Sequence, residues 1–133
     1  MKVSYIVFPE PHKAILETAE ADLTPHDDRV LVKYDYSAVS AGTEIANYRA
    51  NTSYVRYPFH PGYSATGRVL ATGPDVQQIK EGDRVMMTWS SHRSHSLVRE
   101  GNLVRIDDAS VSQQEAAFGN IASFAFLGVR KLR

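Results

Sequence analysis

The sequence predicts a mainly β fold of short antiparallel strands, with a short helix near residue 45 and a C-terminal helix. Three observations predict it. The stretch from Tyr57 to Val85 reads as a Pro/Gly corner, a strand, a Gly-Pro-Asp turn, a loop, and a Gly-Asp turn into a returning strand. Period-two alternation recurs upstream, first at Val3, Tyr5 and Val7, then at Val30, Val32, Tyr34 and Tyr36. Ser112-Gln113-Gln114-Glu115 is a capping box, and a helical apolar pattern follows it.

In chain order, the first strand ends at Pro9 and Pro11, and Lys13 to Glu17 offers a short second one. Asp22 to Asp28, with Thr24-Pro25 and three acids, is a surface turn. The long strand beginning at Val30 places Val32, Tyr34 and Tyr36 on a packed face and Leu31, Lys33, Asp35 and Ser37 on a wetter one. Ser40 to Glu44 breaks it, and Ile45 to Arg49 can make a helical turn or two, with Thr43 as N-cap and Glu44 against the positive end of the helix dipole. His60-Pro61-Gly62 forms the corner because proline fixes φ and glycine accepts positive φ. Gly67 lies mid-strand, where another segment or a ligand can approach. Arg84 to Trp89 returns, with Met86, Met87 and Trp89 expected in the core. Ser94 to Arg99 and Asn102 to Ile106 read as two further strands around Glu100-Gly101. From Ser112 on, Ala117, Ile121, Phe124, Ala125, Gly128 and Leu132 share one helical face, with Gly119 as a break point. Phe118, Phe126, Leu127 and Val129 lie partly off that face, so this helix is apolar most of the way round and calls for a second partner.

A chain of 133 residues makes one domain that can bury roughly two thirds of its unfolded surface. Fifteen basic and fifteen acidic side chains cancel, so no global charge draws it to nucleic acid or a membrane. No apolar run reaches the ~18 residues of a membrane span, and the N-terminus lacks a signal-peptide pattern, so a cytoplasmic location is expected. Zero cysteines exclude disulfides, thiol catalysis and every cysteine-based zinc site. The glycines never form G-x-G-x-x-G, and no βαβ alternation occurs.

The series P-G-x-x-x-x-G-x-V at Pro61 to Val69, then G-D-R-V at Gly82 to Val85, resembles the N-terminal GroES-like catalytic domain of medium-chain dehydrogenases/reductases, the alcohol dehydrogenase and quinone reductase superfamily. Val30 to Lys33 with Val39 to Glu44, and Leu103 to Ile106 with Glu115 to Ala117, match further pieces in family order. The resemblance implies a partly open GroES-like barrel over residues 1–133. It implies the catalytic half of a longer oxidoreductase, inactive alone because the Rossmann domain that mainly binds NAD or NADP is absent from the chain. The expected partners are a small-molecule substrate and that domain, with homo-oligomer formation left open. The S-A-G-T-E turn is somewhat similar to the branch of bacteriochlorophyllide-type hydroxyethyl dehydrogenases and of threonine or sorbitol dehydrogenase relatives.

Zinc-dependent members open this turn with a cysteine and carry Gly-His-Glu after the corner. Here the resemblance puts Ala41 at the cysteine, beside Ser40, and Gly62-Tyr63-Ser64 at the triplet. Alanine cannot ligate, and tyrosine and serine are not ordinary zinc ligands, so no metal is expected. His92 and His95 are spaced H-x-x-H, which on a strand points to opposite faces; among polar neighbours they read as solvated loop residues. Without metal, hydroxyls must stabilise the oxyanion formed as hydride adds to a carbonyl or conjugated carbonyl. Tyr63, Ser40 and Thr43 are the catalytic candidates implied by the resemblance; Thr43 and Asn120 are the cofactor contacts, and Tyr48, Tyr57 and Ser64 the substrate pocket. Each also has a structural reading: ring packing for Tyr63, capping for Ser40 and Thr43. Two other functions remain open, a stand-alone protein-interaction module and a zinc enzyme using His60, His92 and His95.

Overall fold

A computed structural model describes residues 1–132. Strands β1 (Lys2–Val7) and β2 (Ile15–Glu20) pair antiparallel as a separate two-stranded sheet. β3 (Arg29–Ser37), helix α1 (Ala41–Tyr48), β4 (Ser64–Thr72), β5 (Arg84–Thr88), β6 (His95–Arg99) and β7 (Leu103–Arg105) follow, and then α2 (Gln113–Ala116) and α3 (Gly119–Arg130). The five-stranded sheet runs β6-β3-β4-β5-β7, every neighbour antiparallel. β6 and β7 are its two edges and do not pair, so the curled sheet stays a partly open barrel. The 90–94 segment stitches on the first hairpin: Ile6 N–H donates to His92 O at 3.0 Å and Ser94 N–H to Ser4 O at 2.8 Å.

Val30, Val32, Ala65, Val69, Val85, Met87, Val98 and Leu103 fill the inside, with Ile79 from the β4–β5 connection. Burying each large aliphatic side chain contributes roughly 1.5–3 kcal/mol. Most of the cohesion therefore lies between β3, β4, β5 and β6, and the corner at residues 60–64 is anchored to the firmest part of the chain. Gly67 sits where β3 and β4 press together: a Cβ there would come within 2.8 Å of Val32 Cγ1 and collide with the Lys33 carbonyl.

Several expectations change. The β3–β4 register shifts at Leu31/Val32 and again at Tyr34/Tyr36. Each bulge resets the alternation, so Leu31 is buried while Tyr36 is exposed, the reverse of the strict period-two reading. Thr43 is not the N-cap of α1; Ser40 holds that position without a side-chain cap bond, and Thr43 lies inside the first turn. The capping box at Ser112 and Glu115 forms, but its helix is a single turn, and the chain restarts as α3 at Gly119. A Cβ on Gly119 would meet Met86 Sδ, in the outer part of a flexible side chain, so the two residues are packed close together. Ser64 Oγ donates to Ala117 O at 2.6 Å and Thr66 Oγ1 to Gln113 O at 2.9 Å, fixing α2 to β4. From Ala122 onward every described side chain of α3 is exposed. Trp89 is not core either: it is 79% exposed, with φ of 56°. None of the helices in the described residues is long and apolar enough to cross a membrane.

Candidate functional site at the Tyr63 corner

Three segments meet at the corner before β4. Gly62 adopts φ 105°, and a Cβ there would lie 2.9 Å from His92 N, so glycine is required by both conformation and space. His92 N–H donates to Pro61 O at 2.9 Å, and Trp89 N–H to Tyr63 O at 2.9 Å. The 89–92 loop is thereby laced to the corner, with the Trp89 ring turned out beside it. Asn120 Nδ2, from the first turn of α3, donates to the same Tyr63 carbonyl at 3.0 Å.

The third segment is the 40–44 turn. The Glu44 carboxylate accepts from Ser40 N–H at 3.1 Å, and its two oxygens lie 3.0 and 3.1 Å from His92 Nε2. His92 Nδ1 lies 2.8 Å from Ser37 Oγ. The ring is 8% exposed, so the expectation of a solvated loop histidine is overturned. Its neighbours in sequence are polar, but its partners come from β3 and α1, across the fold.

The catalytic candidates thus fall on segments joined through His92. Tyr63 is half-buried on the corner; Ser40 is half-buried and Thr43 exposed, their hydroxyls 3.4 Å apart at the start of α1. Among the pocket candidates, Ser64 is 1% exposed and its hydroxyl is committed to Ala117 O. Tyr48 OH donates to His12 O at 2.6 Å, and Tyr57 OH donates to Asn47 O. Both phenols brace α1 and the loop after it while their half-buried rings remain in reach of the surface. Trp89 and His92 belong to this site and were missed. Trp89 had a signal in the chain: it is the one tryptophan, directly after the returning strand.

The corner does not suit a zinc ion. Ala41 supplies no donor, Tyr63 and Ser64 are poor ones, and His92 is engaged on both nitrogens. His60 is exposed with its ring against Tyr5, while His95 lies on β6, lowered in pKa by burial and by the Lys33 charge. Among the described residues no group of three or more His, Asp or Glu side chains could hold one metal ion.

The profile of the alcohol dehydrogenase GroES-like domain matches residues 26–128. Quinone oxidoreductase-like protein 2 of Bos taurus is 32% identical over 105 residues, which are 77% of this chain and 29% of that protein. The 2-desacetyl-2-hydroxyethyl bacteriochlorophyllide A dehydrogenase of Cereibacter sphaeroides is 29% identical over 94 residues, 68% of this chain and 29% of that one. The chain therefore spans less than a third of these relatives' length. Among solved structures, the human synaptic vesicle membrane protein VAT-1 homolog-like protein superposes with TM-score 0.77 at 21% identity, over 88% of this chain and 39% of that one. Escherichia coli quinone oxidoreductase complexed with NADPH gives 0.69 at 21% identity, over 86% and 36%. At such identities the likeness is one of fold.

Proposed function

We propose a function from one premise: this chain belongs to the alcohol dehydrogenase GroES-like domain family. It is the substrate-side half of a zinc-independent, NAD(P)-dependent medium-chain oxidoreductase acting on an alcohol/ketone pair or an activated alkene. The observation that carries this reading is the corner where Tyr63, the 40–44 turn and the 89–92 loop are joined by buried hydrogen bonds with no metal donor set among them. When bound, the nicotinamide supplies or accepts the hydride; it is held mainly by a Rossmann domain beyond this piece.

The work left to this chain is to bind and polarise the reacting oxygen. Tyr63 donates its phenolic proton to the oxygen on which negative charge grows, and the hydroxyls of Ser40 and Thr43 stabilise that charge by hydrogen bonding. Thr43 also faces the nicotinamide, together with the amide oxygen of Asn120, whose Nδ2 is committed to Tyr63 O. The exposed Trp89 ring offers apolar surface beside the corner, and Tyr48 and Tyr57 remain the further substrate-pocket candidates. A reducing, cytoplasmic setting accords with the absence of cysteine.

The test uses the full-length gene product with NADH and NADPH against a panel of ketones and enones. Tyr63→Phe is expected to lower kcat by about 10²–10⁴ with KM little changed. The backbone carbonyl, not the phenol, ties Tyr63 to its neighbours, so the variant keeps its fold. Full activity in Tyr63→Phe would reject the proton-donor role. Failure of the full-length protein to bind either nicotinamide would favour the protein-interaction module.

A further inference from the structure

Between β3, β6 and the segment that leaves β5 lies a cavity of about 230 Å³, which shares the 89–92 loop with the corner through Trp89, Ser90 and Ser91. Its lining includes Arg29, Arg93, Arg99, Tyr34, Ser90 and Ser91, and no acidic side chain. We propose that it is a binding site for a small oxyanion, a phosphate or carboxylate group, gripped by the three guanidinium groups.

Arg29 and Arg99 are direct partners in the β3–β6 register. Like charges facing each other across a strand pair are destabilising, and nearby carboxylates do little to relieve them. Asp28 reaches Arg29 Nε only at 3.8 Å from an exposed position. Glu100, next to Arg99, is turned away onto the backbone N–H groups of Gln77, Gln78 and Ile79. Arg93 Nε donates to Ser91 Oγ at 2.7 Å, and among the described residues neither Arg93 nor Arg99 forms an ion pair.

Ser90, 7% exposed, packs behind this lining beside the Tyr34 phenol, its hydrogen-bonding neighbour. Tyr34 adds a donor there: burial pushes its phenol above the ordinary value, against the pull of Arg93, so it keeps its proton at neutral pH. Guanidinium forks match the planar oxygens of carboxylate and phosphate. The space holds such a group with a few waters of about 30 Å³ each.

The experiment is calorimetric titration of the 133-residue chain with inorganic phosphate and, separately, acetate, at an ionic strength held constant with sodium chloride. Saturable binding at one site is expected, for phosphate if that is the natural group and for acetate if it is a carboxylate. In Arg29→Gln/Arg99→Gln the Kd is expected to rise about tenfold or more, while Lys131→Gln, just past the end of α3, leaves it unchanged. Both arginines reach solvent, so the double variant should fold; Arg93→Gln, also expected to weaken binding, carries the same test if it does not. Absence of saturable binding by either anion, or equal affinity in wild type and variants, overturns the proposal. Neither result bears on hydride transfer at Tyr63.

Discussion

His92 and Glu44 are a buried pair whose partners are otherwise nearly complete. The Glu44 side chain is 12% exposed and that of His92 9%. Removing the imidazole leaves a carboxylate short of water with the Ser40 N–H as its remaining donor. His92→Ala is therefore expected to cost about 3 kcal/mol in a urea unfolding series. Glu44→Gln, which keeps an acceptor for Ser40 and His92, costs about 1 kcal/mol. A His92→Ala midpoint equal to wild type would show that the pair contributes nothing. Sequence could not reveal this pair, because the ring's partners lie 48 and 55 residues away while its neighbours are polar. Trp89 failed for a different reason. Alternation from Val85 and Met87 would carry it inward, but the positive φ at Trp89 ends the strand and turns the ring out. The corner itself was legible, since Pro61 and Gly62 announce the turn that presents Tyr63.

At the scale of elements, the connections hold as much information as the strands. Glu100, in the turn between β6 and β7, accepts hydrogen bonds from the backbone N–H groups of Gln77, Gln78 and Ile79, capping the β4–β5 connection. The Gln78 bond is the largest cause of its lowered pKa; burial opposes it, and the Gln77 and Ile79 bonds add to the lowering. A folded-state pKa below the unfolded one means that the ionised carboxylate stabilises the fold above the unfolded value, about 4.3. That contribution is lost as pH falls through the lowered folded value. Glu100→Gln should accordingly be less stable than wild type at pH 7, and the difference should shrink toward zero as the medium is acidified below about pH 4. Paired thermal melts across that range check it; a gap that stays constant with pH would exclude the ionised cap. The strands themselves were readable from alternation, and the capping box from four residues. The split of the last helix was legible too, at the break expected at Gly119. What escaped were the two β3 bulges, because a bulge depends on the partner strand.

For the whole molecule, the open question is what covers α3. Phe118, Phe124, Phe126, Leu127, Val129 and Leu132 are each at least half exposed, a concentration of apolar surface that single domains seldom leave wet. The barrel does not use this face, so stability of the chain should not depend on it. Phe124→Ser/Leu127→Ser in the 133-residue chain is expected to change unfolding free energy by no more than about 0.5 kcal/mol. It should also reduce concentration-dependent self-association in sedimentation velocity. In the full-length gene product the same pair should cost several kcal/mol, because two large side chains at a domain junction contribute roughly 1.5–3 kcal/mol each when buried. The contrast between the two contexts is what identifies a covering domain. If the double variant is equally harmless in both, α3 is not the face on which the proposed nucleotide-binding half packs.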